Sequence, residues 1–289
     1  MRKKLAFILF LLYPLLVFSQ KQAPKTPAEV VNLIKSNVTS EWSDKTVDTF
    51  KAGNPDSKLT GIATCMFADM EVLKEAVKKN CNFIITHEPT FYNHLDNTSG
   101  LKNDAVFQEK MKYIEDNNLV IFRFHDHIHR TEPDGIYKGM VREMKLEKYA
   151  DNGSMSHFTI PQTTLKKFAK ELQKRLDAEN VRVIGNPEMK FTKVAFNAGA
   201  PGGQRHIKTL ARPDVEVLIA GEAPEWETYL YANDAMQQKK NKAVIFLGHI
   251  KSEEAGMKYA AEWLDEFIDG VPIFFIENQP NFISHQLSQ

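Results

Sequence analysis

Apolar strand-forming runs recur along this chain, each followed by a segment with helical spacing, and that alternation restricts the fold more than any other feature. Residues 58–66 (KLTGIATCM) read as a buried strand, and residues 70–79 follow with Val72, Leu73, Ala76 and Val77 on one helical face. Residues 82–86 (NFIIT) form the next strand, 105–117 the next helix and 119–124 (LVIFRF) the strand after that. Parallel neighbours need long crossovers, which helices supply, so this order predicts an α/β fold with mainly parallel sheets covered on both faces.

Between residues 134 and 152 glycines and charges weaken the pattern, apart from a short helix over 140–146. The same order then restarts. Thr163 or Thr164 can cap a helix whose apolar face is Leu165, Phe168, Ala169, Leu172 and Leu176. Residues 193–197, 215–220 and 242–247 read as three further strands, and a helix follows from about residue 253 to 267. Two α/β halves are expected, residues 20–140 and 141–289. No low-complexity segment or short-period repeat is present, which excludes solenoids.

Arg2, Lys3 and Lys4 precede an apolar run over residues 5–18, the pattern of a secretory signal peptide. Cleavage is expected after Ser19, with an uncleaved membrane anchor as the other reading; Pro14 and the shortness of the run favour removal. No Cys follows the run, which argues against a lipid anchor. The mature chain is then expected in the periplasm or outside the cell. Losing 1–19 removes three basic groups and leaves 34 against 37 acidic ones. That balance predicts no nucleic-acid partner and no stable membrane association. Only Cys65 and Cys81 are present, so a disulfide framework is excluded, and a bridge between them is disfavoured because they fall at opposite ends of neighbouring strands.

Ligands of open α/β sheets bind beyond the carboxyl ends of strands, where rigid strands hold converging loops. Four strands here end in polar clusters: His87 and Glu88, then His125, Asp126, His127 and His129, then Glu222, and finally His249 with Glu253. His249 and Glu253 stand four apart, a spacing at which two side chains on a helix face one point. Imidazole and carboxylate donors together suit zinc, manganese, iron or nickel. Without thiolates the site is open and catalytic in type rather than a closed structural zinc site. Taken singly, each of these motifs has an ordinary explanation as a surface or hydrogen-bonding feature.

In order, THEPTFY, FRFHDHIHR, NAGAPGG, IAGE and GHIKSE resemble the motifs of the Nif-three-like family of dinuclear-metal-centre proteins, also called GTP cyclohydrolase I type 2 homologues. The likeness runs from TPAEVV at Thr26 to the helix after His249. It implies a Nif-three-like fold with the metal site at the strand ends between the halves, two divalent ions per chain with zinc first in order, and a toroidal homohexamer. His87 matches the first ligand, His249 the last histidine, and Glu253 the glutamate that bridges both metals. Two positions depart: Glu88 stands where the family has a second histidine, and His129 where it has an aspartate. The resemblance implies that both serve one metal, so the change is an exchange of carboxylate and imidazole within one coordination sphere; the other reading is loss of one metal position. His127 has no ligand counterpart and is a substitute or an outer partner.

Two ions sharing a carboxylate suit hydrolysis, so the leading expectation is a metal-dependent hydrolase of a small molecule, with His125 or Glu222 in proton transfer or substrate binding. Phe91, Tyr92 and Trp226 are candidates to line a pocket. Ring opening of a guanine nucleotide is a narrower alternative, disfavoured because the chain has no P-loop and Gly199 to Gly203 reads as a tight βα turn. A non-catalytic metal-binding or assembly protein is the third.

Overall fold

The computed structural model describes residues 21–279, and the expected signal peptide at 1–19 lies outside them. In chain order the first elements are α1 (Pro27–Asn37), β1 (Phe50–Ala52), β2 (Ile62–Cys65), α2 (Met70–Lys78), β3 (Phe83–Thr86), α3 (Ala105–Asp116) and β4 (Val120–Arg123). Two short helices come next, α4 (Asp126–Arg130) and α5 (Gly135–Glu143). The second series is β5 (His157–Thr164), α6 (Leu165–Arg175), β6 (Arg182–Ile184), β7 (Lys190–Asn197), α7 (Gly203–Leu210) and β8 (Val217–Ala220). It ends with α8 (Leu230–Gln237), β9 (Ala243–Phe246), α9 (Glu254–Asp265) and β10 (Ile273–Phe275). Among the described residues no helix is long and apolar enough to cross a membrane.

The strands form two five-stranded sheets, β1-β4-β3-β2-β10 and β5-β7-β8-β9-β6. In the first, β10, β2, β3 and β4 are parallel and β1 is antiparallel; in the second, β7, β8 and β9 are parallel between two antiparallel edges, β5 and β6. Every residue of β2, β3, β4, β8 and β9 is buried, which explains why these strands read as unbroken apolar runs rather than alternating ones. Helices cover both faces. Val30 and Ile34 of α1 join Leu264 of α9 on one side of the first sheet, with Leu73 of α2 and Ile114 of α3 on the other. Met140 of α5 and Leu172 of α6 cover one side of the second sheet, and Leu210 of α7 and Ala232 of α8 the other.

Local signals explain the helix starts. Asp69, Asp104 and Thr164 each accept a backbone N–H of the first turn of α2, α3 and α6, which settles the choice between Thr163 and Thr164. Pro27 opens α1 behind the cap of Thr26.

The C-terminal segment does not stay in one half. β10 pairs with β2, and α9 packs on the first sheet while its N-terminal turn abuts α5. The approach is close: a Cβ at Gly139 would lie 2.2 Å from the Ala255 carbonyl. Thus residues after about 253 belong structurally to the junction and the first sheet, although they come after the 140 boundary in sequence.

Four strands lie outside the sequence expectation: β1, β5, β6 and β10. Three of them have only three residues, and β5 contains Pro161 and a register irregularity between Thr159 and Thr163, features of an edge strand. Cys65 and Cys81 are both free and buried.

Candidate metal centre

The parallel strands of each sheet deliver their carboxyl ends to a common edge, and the ladders continue past the strand ends to hold the first loop residues. The His87 N–H bonds the Cys65 carbonyl and the Glu88 N–H the Met66 carbonyl, extending β3 along β2. His125 and His129 arrive from β4 through α4, whose start is fixed by Asp48. One carboxylate oxygen of Asp48 accepts the N–H groups of His125 (2.6 Å) and Asp126 (2.9 Å), and the other accepts that of His127 (2.8 Å). A carboxylate at a helix N-terminus is favoured by the unpaired N–H groups there. From the second sheet, β8 leads to Glu222, and β9 leads to His249, a 3₁₀ turn over Ile250–Ser252, and Glu253 at the mouth of α9.

The side chains converge. His249 Nε2 lies 3.1 Å from Glu253 Oε2 and 3.1 Å from Glu88 Oε1. His87 Nε2 is 3.6 Å from Glu253 Oε2, His129 Nε2 is 3.7 Å from Glu253 Oε1, and His125 Nε2 is 3.7 Å from Glu88 Oε1. The rings of His87, His125 and His129 are mutual neighbours, with centroids 4.6–5.1 Å apart. Two ligand atoms about 2.0–2.2 Å from one ion at the tetrahedral angle stand about 3.3–3.6 Å apart, so these separations are close to those a bound cation would impose.

A consistent tautomer runs through the cluster. His87 Nδ1 meets the Phe124 carbonyl at 3.2 Å, His125 Nδ1 meets Asp126 at 2.9 Å, His129 Nδ1 meets Asp134 at 3.0 Å, and His249 Nδ1 meets Glu222 at 3.1 Å. With Nδ1–H donated to an oxygen, each ring turns Nε2 inward, the nitrogen that offers its lone pair to a cation when the ring is neutral, as in metal-ligating histidines. His87 Nε2 is buried and without any hydrogen-bond partner, a costly arrangement unless the site receives a cation. Two overlapping ligand sets lie within 4.8 Å: His87, His125 and His129, and His87, Glu88 and Glu253. His87 has one free nitrogen, so the sets are alternatives at that atom.

Burial, then the nearby His125 and His129, holds the His87 imidazole well below its ordinary range and therefore neutral. Burial opposes the charged form of His249 too, but hydrogen bonds to Glu253 and Glu88, with their negative charge, push it up to about 10. For Glu88, burial raises and the contact with His249 lowers, with His125 and Arg123 adding to the lowering, and the net direction is down. His129 is raised against burial by Asp134. In the metal-free protein a proton on His249 thus occupies the place of a cation between two carboxylates.

The eight candidate site residues singled out in the sequence fall unequally. His87, Glu88, His129, His249 and Glu253 face one point, and His125 joins them within ligand distance. Glu222 is an exposed partner of His249 Nδ1. His127 stands apart: Nδ1 is bound to Asp48 at 2.7 Å, Nε2 accepts the Ser43 N–H at 3.0 Å, and Trp42 stacks on the ring at 3.7 Å, so neither nitrogen is free. Phe91 is buried against Phe107, whereas Tyr92 and Trp226 are 58 % and 77 % exposed. Sequence reading missed Asp48, Arg123, Asp134 and Ser252. Arg123 carried a signal, a lone charge inside the run LVIFRF; Asp134, five residues after His129 at the start of α5, carried a weaker one.

Comparison with known proteins bears on this geometry. A family model described as Duf34/NIF3 (NGG1p interacting factor 3) matches residues 30–281. The GTP cyclohydrolase 1 type 2 homolog of Clostridium acetobutylicum is 25% identical over 212 residues, covering 70% of this chain and 75% of that protein. Its namesake in Neisseria meningitidis is 25% identical over 222 residues, with 76% and 84% covered. Among solved structures, a Bacillus cereus protein related to NIF3 superposes with a TM-score of 0.68 at 16% identity, covering 91% of this chain and 99% of that one. Reduced HcgD from Methanocaldococcus jannaschii superposes at 0.64 and 18% identity, with 88% and 99% covered.

Proposed function

The chain belongs to the Duf34/NIF3 family, and from that premise we propose that it is a dinuclear metal-dependent hydrolase of a small molecule. The observation that carries the reading is the set of four imidazoles, each held by an oxygen at Nδ1, closing with Glu253 on the partnerless buried His87 Nε2. Glu253 turns Oε1 toward His129 and Oε2 toward His87 and His249, which supports its role as the bridge between two ions. Divalent ions held there would polarise an acyl or phosphoryl oxygen and acidify a water molecule. The protein's own part is to fix four Nε2 atoms through their Nδ1 partners and to hold the Glu88 and Glu253 carboxylates buried. Glu222, exposed beside His249, is the group placed to exchange a proton with solvent or meet substrate.

The glycine-rich turn supports this over guanine-nucleotide ring opening. The Glu227 carboxylate packs against Gly203 at the start of α7 and accepts from Gln204 at 3.0 Å, so that helix end offers no open phosphate cradle. Zinc as the metal, export after loss of residues 1–19 and assembly as a homohexamer complete the proposal; light scattering and N-terminal sequencing of the exported protein test the last two.

The purified protein, supplied with zinc or manganese, is assayed against ester, phosphoester, amide and cyclic-amide panels with GTP included. Turnover lost in Glu253→Ala is expected. Activity retained by that variant contradicts the mechanism, GTP ring opening replaces the substrate class, and metal binding with no turnover on any substrate favours a binding or assembly role.

A further inference from the structure

We propose that Arg123 is the positioning residue that aims Glu88 into the centre and so sets the metal affinity of the Glu88 side, an inference that rests on the metal-centre reading above. Arg123 ends β4 and is fully buried, an unusual place for a guanidinium. Its Nε donates to the His87 carbonyl at 3.1 Å, Nη1 to the His94 carbonyl at 2.6 Å, and Nη2 to Glu88 Oε2 at 3.2 Å. Two backbone carbonyls at either end of the 87–94 loop thus anchor the fork, and Glu88 hangs on its third branch. Asp96, 3.9 Å from Nη1, supplies further negative charge; it also pairs with Lys51 at 3.3 Å and accepts the Thr90 and Phe91 N–H groups.

The consequence for Glu88 is geometric. With Oε2 held by Arg123, only Oε1 faces His249 and His125, so the carboxylate can serve an ion through one oxygen and not both. The consequence for charge is that the pair Glu88–Arg123 sums to zero, as a neutral imidazole would in the same place. Histidine and the Glu88–Arg123 pair are therefore electrostatically alike toward a cation, which gives the exchange at position 88 a physical basis in this chain's own residues. Two effects oppose each other when Arg123 is altered: losing its positive charge favours a cation, and losing the fork releases the carboxylate. Outer partners of metal ligands are worth about 10–100-fold in affinity, and the charge of Arg123 is already shielded by Glu88, so the fork dominates.

The test is zinc titration of the purified protein carrying Arg123→Lys, Arg123→Gln, Glu88→Gln, or Glu88→Gln with Arg123→Gln, with folding checked by circular dichroism. Arg123→Lys keeps the charge and loses the fork; it and Arg123→Gln are expected to bind zinc at least tenfold more weakly. The double variant is expected to bind no more weakly than Glu88→Gln alone, because Arg123 acts through Glu88. Wild-type affinity in Arg123→Lys, tighter binding in Arg123→Gln, or an additive loss in the double variant overturns the proposal while leaving the metal centre intact. Absence of zinc binding by the unaltered protein removes both.

Discussion

The backbone of Gly199 passes so close beneath the Glu253 carboxylate that a Cβ at position 199 would lie 2.3 Å from Oε1. Gly199 also has φ +61°, and its N–H bonds Ser252 Oγ at 3.0 Å. Gly199→Ala therefore meets two penalties, about 1–2 kcal/mol for the left-handed backbone and displacement of the Glu253 carboxylate. The expected result is a lower melting temperature together with at least tenfold weaker zinc binding. A variant that loses stability but binds zinc as before would show that Glu253 does not depend on this turn.

Zinc binding near neutral pH should expel a proton from His249. Its imidazole is pushed up to about 10 by Glu253 and Glu88 against the effect of burial, so it is protonated at pH 7 in the metal-free protein. A ligand must be deprotonated, so apparent affinity should rise roughly tenfold per pH unit between about pH 7 and 9 for this one proton. Calorimetry in buffers of different ionisation enthalpy measures the proton directly, and a release near zero at pH 7 would contradict the arrangement.

Asp48 is expected to be the most damaging single loss outside the candidate ligands. Its buried carboxylate accepts three backbone N–H groups of α4 and pairs with His127. Removing a buried charged acceptor leaves its donors unsatisfied, at about 1–3 kcal/mol for each one that water cannot reach, a large share of the roughly 5–15 kcal/mol typical of a folded domain. Urea unfolding of Asp48→Ala should register a loss of that order, and zinc affinity should fall because His125 and His129 ride on α4. A loss below about 1 kcal/mol would mean that α4 is held by other contacts.

The part of this molecule that was legible in sequence is the part whose signal is local. β3, β4, β8 and β9 are buried on both faces, so each reads as an apolar run, and the polar residues that end them stand out. β6 and β10 are three-residue edges whose pairing depends on distant partners, Val244 to Phe246 and Ile62 to Thr64, which no local pattern reveals. The same reason separates the ligand candidates from their supports. His87 and Glu253 announce themselves by residue type, but Asp48 is more than 70 residues from the helix it caps, and only the fold brings them together. His127 misled for the opposite reason: its neighbours in sequence are candidate ligands, while its own contacts are Asp48, Ser43 and Trp42.

Acid should weaken the metal-free fold through His206, which is buried on α7 with Nδ1 on Thr228 and Nε2 without a partner. Burial, aided by the charge of Arg205, holds this imidazole down at about 4, below the ordinary 6.5. The unfolded chain therefore takes up the proton first. The stability contribution is complete above about pH 6.5 and is lost as pH falls toward 4, on the order of 3 kcal/mol in all. Urea unfolding with chelator present should show His206→Asn with a flatter slope than the unaltered protein over that window; parallel slopes would assign the acid sensitivity elsewhere.

Metal content tests the central claim most directly. Elemental analysis of the purified protein, with zinc offered and excess removed, should give two divalent ions per chain, falling to one or none in Glu253→Ala, because that carboxylate faces both groups of imidazoles. A protein that retains no metal, or a Glu253→Ala variant that keeps both ions, would contradict the reading of this site as a bridged dinuclear centre.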